Sequence, residues 1–510
     1  MNEILKNTQS FFSRLRSHER ETFRRFLELH EDGSMTQSKS LKLFDVLNAN
    51  KEYTDQEIFR KLYGNEKVEP RTFTKLVERF REKMYESNYL DVNLYREDVN
   101  SPYFMGLMEA KKLIGLSYNI AARGVGNKEM IRLLKRGISL SEKFELYDEW
   151  ICFLNLKFLL NATLFPENNP AELLTEMKSI QVKKNTLNEA QYFVYKFVRA
   201  MQDQSSLRKD IRDDLRDAIE KLEGENKESF SWNVYYNLSL LKLQFYHSEE
   251  QFDEAETLLL ALINHLNNQP SLKQFTRIAE AYTNLAATQM FNYKYLDAVK
   301  SNEEALRFPG LRPTDKNYYK ESLAFLHIYL GHYSKSNQAL KEIIAEGLIG
   351  NTEEELSRRK YLLATTLFLQ GEYKKSNFLL QDTKEIENEK EGWNIGIRLL
   401  QIFLTLETEK IDLADQRIES LRKHIERTSK MKSIRKRDVV IFRILRSLAM
   451  NGFDFKETWT DRKKDFLLLQ SDNPDYRWIP RSHEIILFHQ WFESKVKHKN
   501  YHPDFTKKVN

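Results

Sequence analysis

The stretch AEAYTNLAATQMFNYKYLDAVKSNEEALRFP, residues 279–309, decides the fold, because it contains two amphipathic helical patterns joined by a short turn. Small residues stand where the two helices would cross, with Ala286 in the first helix and Ala298 and Ala305 in the second. Small side chains let helix backbones approach closely. The stretch therefore predicts a tightly packed helical hairpin.

The same pattern recurs on both sides of this hairpin. A small residue marks the second helix of each copy, at Ala255, Ala298, Ser336, Ser376 and Ala414, which gives steps of 43, 38, 40 and 38 residues. A hairpin that cannot bury its apolar face alone does so by stacking on its neighbours. With weaker candidates upstream, we predict an array of roughly seven hairpins.

The hairpin at residues 279–309 resembles a tetratricopeptide repeat. The residues that carry the resemblance are Tyr282, Leu285, Ala286, Tyr295, Ala298 and Ala305. Gly331 and Gly371 occupy the turns of the next two copies, while Gln289 and Asn302 stand where the family has aromatic or large apolar groups. The steps also exceed the family's repeat of about 34 residues, so the resemblance implies a divergent array.

Composition agrees with an all-α chain. There are 16 Gly and 10 Pro among 510 residues, too few turn-forming residues for a protein of many strands and hairpins. We predict an α-solenoid of tetratricopeptide-like hairpins over residues 102–450, preceded by a small helical domain at 1–95 and followed by capping helices at 451–510.

The N-terminal domain contains a helix, a short turn and a second helix. Thr54 can cap the first helix and Pro70 can begin the second. This part, TDQEIFRKLYGNEKVEPRTFTKLVERFREKM, resembles the centre of bacterial winged-helix domains over about 30 residues, although no turn dipeptide follows to form the wing. Arg71, Lys75 and Arg79 share one face of the second helix and could contact phosphates. A solvated basic edge on a helical cap is the alternative.

Composition and motifs also limit the chemistry. The charge of +5 indicates a mildly basic surface, and the single Cys152 excludes a disulfide within the chain, so we expect a cytoplasmic protein. No apolar run is long enough to span a membrane. His483 and His489 are six residues apart, whereas zinc binding on one helix face needs four. We predict no catalytic, cofactor-binding or metal-binding residue.

The resemblance also implies a binding groove lined by the first helix of each hairpin. The residues that it places there are Glu280, Asn284, Tyr318, Glu321, Arg358 and Tyr361. This mixture of aromatic, amide and charged groups is typical of a site for a peptide or protein segment. Of the set with which tetratricopeptide co-chaperones hold a terminal carboxylate, only Asn284 is in place, which argues against that class of ligand.

Three functions stay open at this point. The first is a non-enzymatic interaction or scaffold protein that binds a peptide or protein segment in the groove. The second is a transcriptional regulator, similar to bacterial repeat-containing regulators, whose N-terminal segment binds DNA while the solenoid senses a ligand. The third is an enzyme whose active site is assembled from distant residues.

Overall fold

The computed structural model describes residues 3–15, 17–30, 38–49, 53–64, 68–89, 100–123, 127–160, 169–203, 209–349, 351–381, 383, 386, 392–429 and 434–505. All regular secondary structure in these residues is helical, which confirms the all-α class. The chain divides into two compact units, Met1–Arg96 and Glu97–Asn510.

The first unit contains five of the described helices. They are α1 (Glu3–Arg14), α2 (Ser17–His30), α3 (Lys39–Asn48), α4 (Asp55–Tyr63) and α5 (Pro70–Tyr89). The long helix α5 packs against α1, α2 and α3. Aromatic side chains fill the core between them, with ring centroids 5.3 Å apart for Phe12 and Phe44 and 5.0 Å apart for Phe23 and Phe80.

Helices α4 and α5 have the ends that the sequence predicts. Thr54 caps α4 in a reciprocal arrangement with Glu57, and Pro70 is the first residue of α5. The two helices meet through Phe59 and Phe73, whose rings pack edge to face at 5.5 Å. The sequence predicts that no wing follows α5, and because residues 90–99 lie outside the described residues, this absence stays a prediction.

The second unit contains the remaining helices. Its first four are α6 (Pro102–Arg123), α7 (Asn127–Phe144), α8 (Tyr147–Leu159) and α9 (Pro170–Asp203). The next six are α10 (Lys209–Glu228), α11 (Trp232–Ser248), α12 (Phe252–Asn268), α13 (Phe275–Phe291), α14 (Tyr295–Leu306) and α15 (Pro313–Tyr329). Then come α16 (Tyr333–Ala345), α17 (Glu353–Leu369), α18 (Tyr373–Gln381), α19 (Trp393–Glu407) and α20 (Ile411–Ser429). The last four are α21 (Lys436–Met450), α22 (Phe455–Asp461), α23 (Lys463–Leu469) and α24 (Phe488–Val496).

The helix contacts follow the order of the chain. Each helix from α6 to α22 packs against the next one, and α13 also contacts α15, as α17 contacts α19. Five hairpins, α11/α12 to α19/α20, contain the small residues that the sequence marked in their second helices. All five are completely buried: Ala255, Ala298, Ser336, Ser376 and Ala414. This arrangement is compatible with a helical repeat.

Two residues that depart from the tetratricopeptide pattern are buried and hydrogen-bonded between helices. Gln289 on α13 donates to Glu256 on α12 at 2.9 Å and accepts from Ser301 on α14 at 2.8 Å. Asn302 on α14 donates to the carbonyl oxygen of Tyr319 on α15 at 3.1 Å. Polar side chains therefore replace apolar packing at these two positions, and each of them needs hydrogen-bond partners in fixed places on the neighbouring helices.

The last helix follows a buried non-helical stretch. Helix α24 begins at Phe488, and Ile485 and Ile486 are buried in the chain just before it. The carboxylate of Glu484 accepts a hydrogen bond from the backbone N–H of Phe488 at 3.1 Å, which satisfies a donor at the start of the helix. None of the described helices combines the length and apolar content needed to cross a membrane.

Candidate functional site

Equivalent positions on successive first helices form a row across the hairpins. Glu280 on α13, Tyr318 on α15, Arg358 on α17 and Gly396 on α19 follow the same steps of 38, 40 and 38 residues as the small residues of the second helices. We call these four residues the first-helix row. Three of them were predicted to line the binding groove.

Glu280 stands at the open end of the row. It is exposed to solvent, and its carboxylate lies beside the hydroxyl of Tyr236 on α11. The pKa of Glu280 is raised above its ordinary value, mainly because the carboxylate is partly buried and also because the negative charge of Asp315 is nearby. Asn284, one turn further along α13, is half-buried. This end of the row is accessible to a partner.

Tyr318 is the next residue of the row and has 39% of its surface exposed. The guanidinium of Arg481 lies over its ring, 4.6 Å from the centroid, and also donates a 2.8 Å hydrogen bond to the tyrosine hydroxyl. Arg481 belongs to residues 473–505, which we call the C-terminal segment. In the middle of the row, Tyr318 is therefore partly exposed to solvent and partly covered by the C-terminal segment.

Glu321 and Arg358 form a buried ion-pair cluster with Arg359. The carboxylate of Glu321 lies 2.8 Å from Arg358 Nη2 and 2.7 Å from Arg359 Nε. Burial alone would raise the pKa of Glu321, but the two guanidiniums hold it below its ordinary value. Glu321 and Arg359 are buried and Arg358 is half-buried, so this cluster joins α15 to α17 and only Arg358 reaches the surface.

Tyr361 is buried and contacts the C-terminal segment directly. Its hydroxyl donates a 2.6 Å hydrogen bond to the carbonyl oxygen of His483. The fourth residue of the row, Gly396, makes this approach feasible, because a Cβ atom there would lie 2.9 Å from both the His483 carbonyl oxygen and the Tyr361 hydroxyl. In the structure, main chain of the C-terminal segment occupies the place of a side chain at this position.

The C-terminal segment makes further hydrogen bonds with tyrosines of earlier hairpins. The backbone N–H of Arg481 donates to the hydroxyl of Tyr329 at 2.6 Å, and the hydroxyl of Tyr295 donates to the carbonyl oxygen of Phe505 at 2.9 Å. The ring of Trp478 packs edge to face on Tyr329 at 5.6 Å. The capping role predicted for residues 451–510 stays a prediction, and these contacts extend well beyond the last hairpin.

Two buried polar contacts hold the same segment against α21. Arg437 pairs with Glu484, with Nη2 2.9 Å from Oε1, and His483 Nε2 lies 3.0 Å from Asp438 Oδ1. A histidine–aspartate contact can orient a catalytic base, but here all four side chains are enclosed in the core. The arrangement anchors the segment. The described residues also contain no group of three or more His, Cys, Asp or Glu that could hold a metal ion.

The three residues predicted to contact nucleic acid lie on α5 in the first unit. Arg71, Lys75 and Arg79 are exposed on successive turns, and Arg79 Nε donates to the carbonyl oxygen of Lys75 at 3.4 Å. Their spacing of four residues places the three positions on one face of the helix, and their contact with nucleic acid stays a prediction.

The residues that the C-terminal segment brings to the row were not predicted from the sequence. Arg481 and His483 are the main ones; both fall within the range 451–510 predicted as capping helices, and His483 was considered there only as a zinc ligand. One available signal was the stretch DNPDYRWIPRS, residues 472–482, which is rich in aromatic and proline residues where a solvated connection would be polar. Another was the glycine at position 396 in an otherwise bulky apolar helix.

Comparisons of the chain with protein-family models, with curated proteins and with solved structures find no match.

Proposed function

We propose that this chain is a non-enzymatic interaction protein, built of tetratricopeptide-like hairpins, that binds an extended peptide or protein segment across the first-helix row. The observation that carries the proposal is the way in which helices α14, α15 and α17 hold the C-terminal segment. Tyrosine hydroxyls bond to its main chain at Arg481, His483 and Phe505, and aromatic rings pack on its side chains.

Such contacts are suited to an extended chain in general. Hydrogen bonds to main-chain groups provide affinity with little dependence on sequence, while side-chain contacts select among sequences. The C-terminal segment already covers the row at α17 and α19, where Tyr361 is buried. The exposed end, with Glu280, Asn284 and Tyr318, is the part that a partner reaches.

A matched pair of variants tests the proposal in the full-length protein. Glu280→Lys changes an exposed carboxylate of the row, whereas Glu303→Lys makes the same change at an exposed position of the second helix α14. We expect affinity purification to recover the partner with the wild type and with Glu303→Lys, and to lose most of it with Glu280→Lys. Equal recovery with both variants would contradict the assignment of the site.

A second candidate is a transcriptional regulator whose first unit binds DNA. The observation that favours it is the exposed row Arg71, Lys75 and Arg79 on α5, in a unit with its own aromatic core. Helix α5 follows α4 after a short connection, in the order of a helix-turn-helix. For either candidate we propose a cytoplasmic location, since the single cysteine is half-buried and suits a reducing compartment.

A further inference from the structure

Helix α9 is the longest of the described helices, and one of its faces carries a regular series of exposed residues. The series runs from residue 174 to residue 199 in alternating steps of four and three, along about 38 Å of the helix. Its members are leucine, tyrosine, amide and basic residues, and we call them the α9 seam: Leu174, Lys178, Gln181, Asn185, Asn188, Tyr192, Tyr195 and Arg199. All eight side chains are exposed.

This spacing is typical of a helix that pairs with a second helix. Alternating steps of four and three keep side chains in line when two helices wind around each other, as in a coiled coil. The opposite side of α9 is already in use, because Ile180, Ala190 and Phe197 are buried in apolar clusters with neighbouring helices. No member of the α9 seam belongs to the apolar clusters that the structure describes. The seam is therefore a second contact face of the same helix.

We propose that the α9 seam binds the α9 seam of a second copy of this chain, with the two helices antiparallel. A two-fold axis midway between Asn185 and Asn188 places each residue opposite the one that lies equally far from the axis in the second copy. The resulting pairs each occur twice: Leu174 with Arg199, Lys178 with Tyr195, Gln181 with Tyr192, and Asn185 with Asn188.

The pairs near the axis are polar and complementary. Asn185 and Asn188 each carry an amide donor and a carbonyl acceptor, so they can exchange hydrogen bonds across the axis. Gln181 donates a 2.9 Å hydrogen bond to Asn185 within the helix, which orients that amide before the second copy arrives. One step further out, the ammonium group of Lys178 meets the face of the Tyr195 ring. Amides at such positions fix the register of paired helices at some cost in stability.

The outer pairs supply apolar contact area. Tyr192 and Tyr195 have 59% and 65% of their surface exposed, and tyrosine is enriched at protein interfaces. Tyr192 lies opposite Gln181, whose amide can bond to the tyrosine hydroxyl. Leu174 lies opposite Arg199 and packs on the aliphatic part of its side chain. The guanidinium of Arg199 donates to the hydroxyl of Tyr195 at 3.4 Å within the helix.

Charge selects the antiparallel arrangement. The α9 seam contains two basic residues, Lys178 and Arg199, and no acidic residue. A parallel pair in register would set each residue against its own copy, so both positions would bring like charges together. In the antiparallel pair, an aromatic ring and an aliphatic side chain lie opposite these two charges. A second copy therefore satisfies the seam without an acidic partner.

Sedimentation equilibrium of the full-length protein tests the proposal. We expect a monomer–dimer equilibrium, which Tyr195→Lys weakens at least about tenfold, because it opposes two ammonium groups at two places in the dimer. Adding Lys178→Glu to Tyr195→Lys should restore the dimer, since each pair then has opposite charges. Tyr118→Lys, at an exposed tyrosine of α6, is the matched control and should leave the dimer unchanged. Circular dichroism checks that each variant keeps its helices.

Cross-linking of lysines between labelled and unlabelled copies reports the orientation. The antiparallel pair brings Lys178 of one copy beside Lys196 of the other, whereas within one chain these lysines lie about 27 Å apart along α9. Cross-links from Lys178 to its own copy would show a parallel pair and overturn the proposal. A protein that stays monomeric, a dimer that tolerates Tyr195→Lys, or a double variant that is not restored would overturn it as well. None of these results bears on the first-helix row.

Discussion

The hydroxyl of Tyr361 and the carbonyl oxygen of His483 form a 2.6 Å hydrogen bond across 122 residues of the chain. The bond is buried and joins α17 to the C-terminal segment. Beside it, Gly396 provides the space through which the segment approaches α19. This contact connects the middle of the second unit to its last residues.

Gly396→Ala should destabilise the second unit. The added Cβ would lie 2.9 Å from two hydrogen-bonded oxygens, so the segment must shift, and overpacking of this kind costs about 1–3 kcal/mol. Gly224→Ala on α10 is the matched control, since nothing lies within 4 Å of its Cβ and alanine favours a helix by about 1 kcal/mol over glycine. Urea denaturation measures both. If Gly396→Ala leaves the protein as stable as Gly224→Ala does, the segment is not held closely at Gly396.

The sequence predicted the hairpins well because their signals are local. The small residues Ala298 and Ser336 recur at a fixed step, and both are completely buried in second helices. The path of the C-terminal segment could not be predicted, since the pairing of Tyr361 with His483 depends on packing between distant residues and leaves no local periodicity. Gly396 and the Trp478–Pro480 stretch indicated close packing, but neither shows from the sequence which residues it packs against. Ligand specificity of the row stays a prediction.

Glu321→Gln should be strongly destabilising. It removes the carboxylate that Arg359 needs in the core, and breaking one side of a buried ion pair typically costs about 3–5 kcal/mol. Glu304→Gln also removes an ion-pair partner, but that pair, with Arg307, lies on the surface, where we expect a change within about 0.5 kcal/mol. Thermal denaturation of the two variants gives the comparison. Equal and small effects would mean that Arg359 tolerates the loss of its partner.

Stability should decrease when the pH is lowered from about 6.5 towards 4. Burial lowers the pKa of His327 and of His489 to about 4, whereas an unfolded histidine titrates near 6.5. The unfolded state therefore binds more protons in this window, and each histidine contributes a slope of up to about 1.4 kcal/mol per pH unit. Denaturant midpoints between pH 7 and 4.5 measure the slope. A constant midpoint would contradict the burial of these rings as neutral groups.

The variant His327→Leu tests how much of the pH dependence of stability comes from His327. The ring is buried, and its Nδ1 has no hydrogen-bond partner in the described part of the chain. Replacing it with an apolar group should flatten the pH dependence and raise stability at pH 5 relative to the wild type. His498→Gln, at an exposed position, is the control and should leave the slope unchanged.

DNA binding by the full-length protein tests the second candidate function. If α5 contacts phosphates, affinity for a 30-base-pair duplex decreases with salt, and changing Arg71, Lys75 and Arg79 to Ala lowers the slope of log K against log salt by up to about 2.7. Arg24→Ala with Arg25→Ala, on α2, removes arginines that already pair with acidic residues and should change little. Affinity that does not depend on salt, or a triple variant that binds as the wild type does, would exclude α5 as the contact.

The bond between Tyr361 and His483 cannot form until long after Tyr361 has been translated. A ribosome adds about 5–20 residues per second, so the 122 positions that separate the two partners take roughly 6–24 s to synthesise. During that interval, tyrosine, tryptophan and leucine side chains on α15 to α19 are exposed, because the C-terminal segment that covers them has not yet been synthesised. Hairpins that are complete in secondary structure therefore need protection from aggregation until residues 473–505 have been synthesised, and a premature stop codon after residue 470 leaves them permanently uncovered.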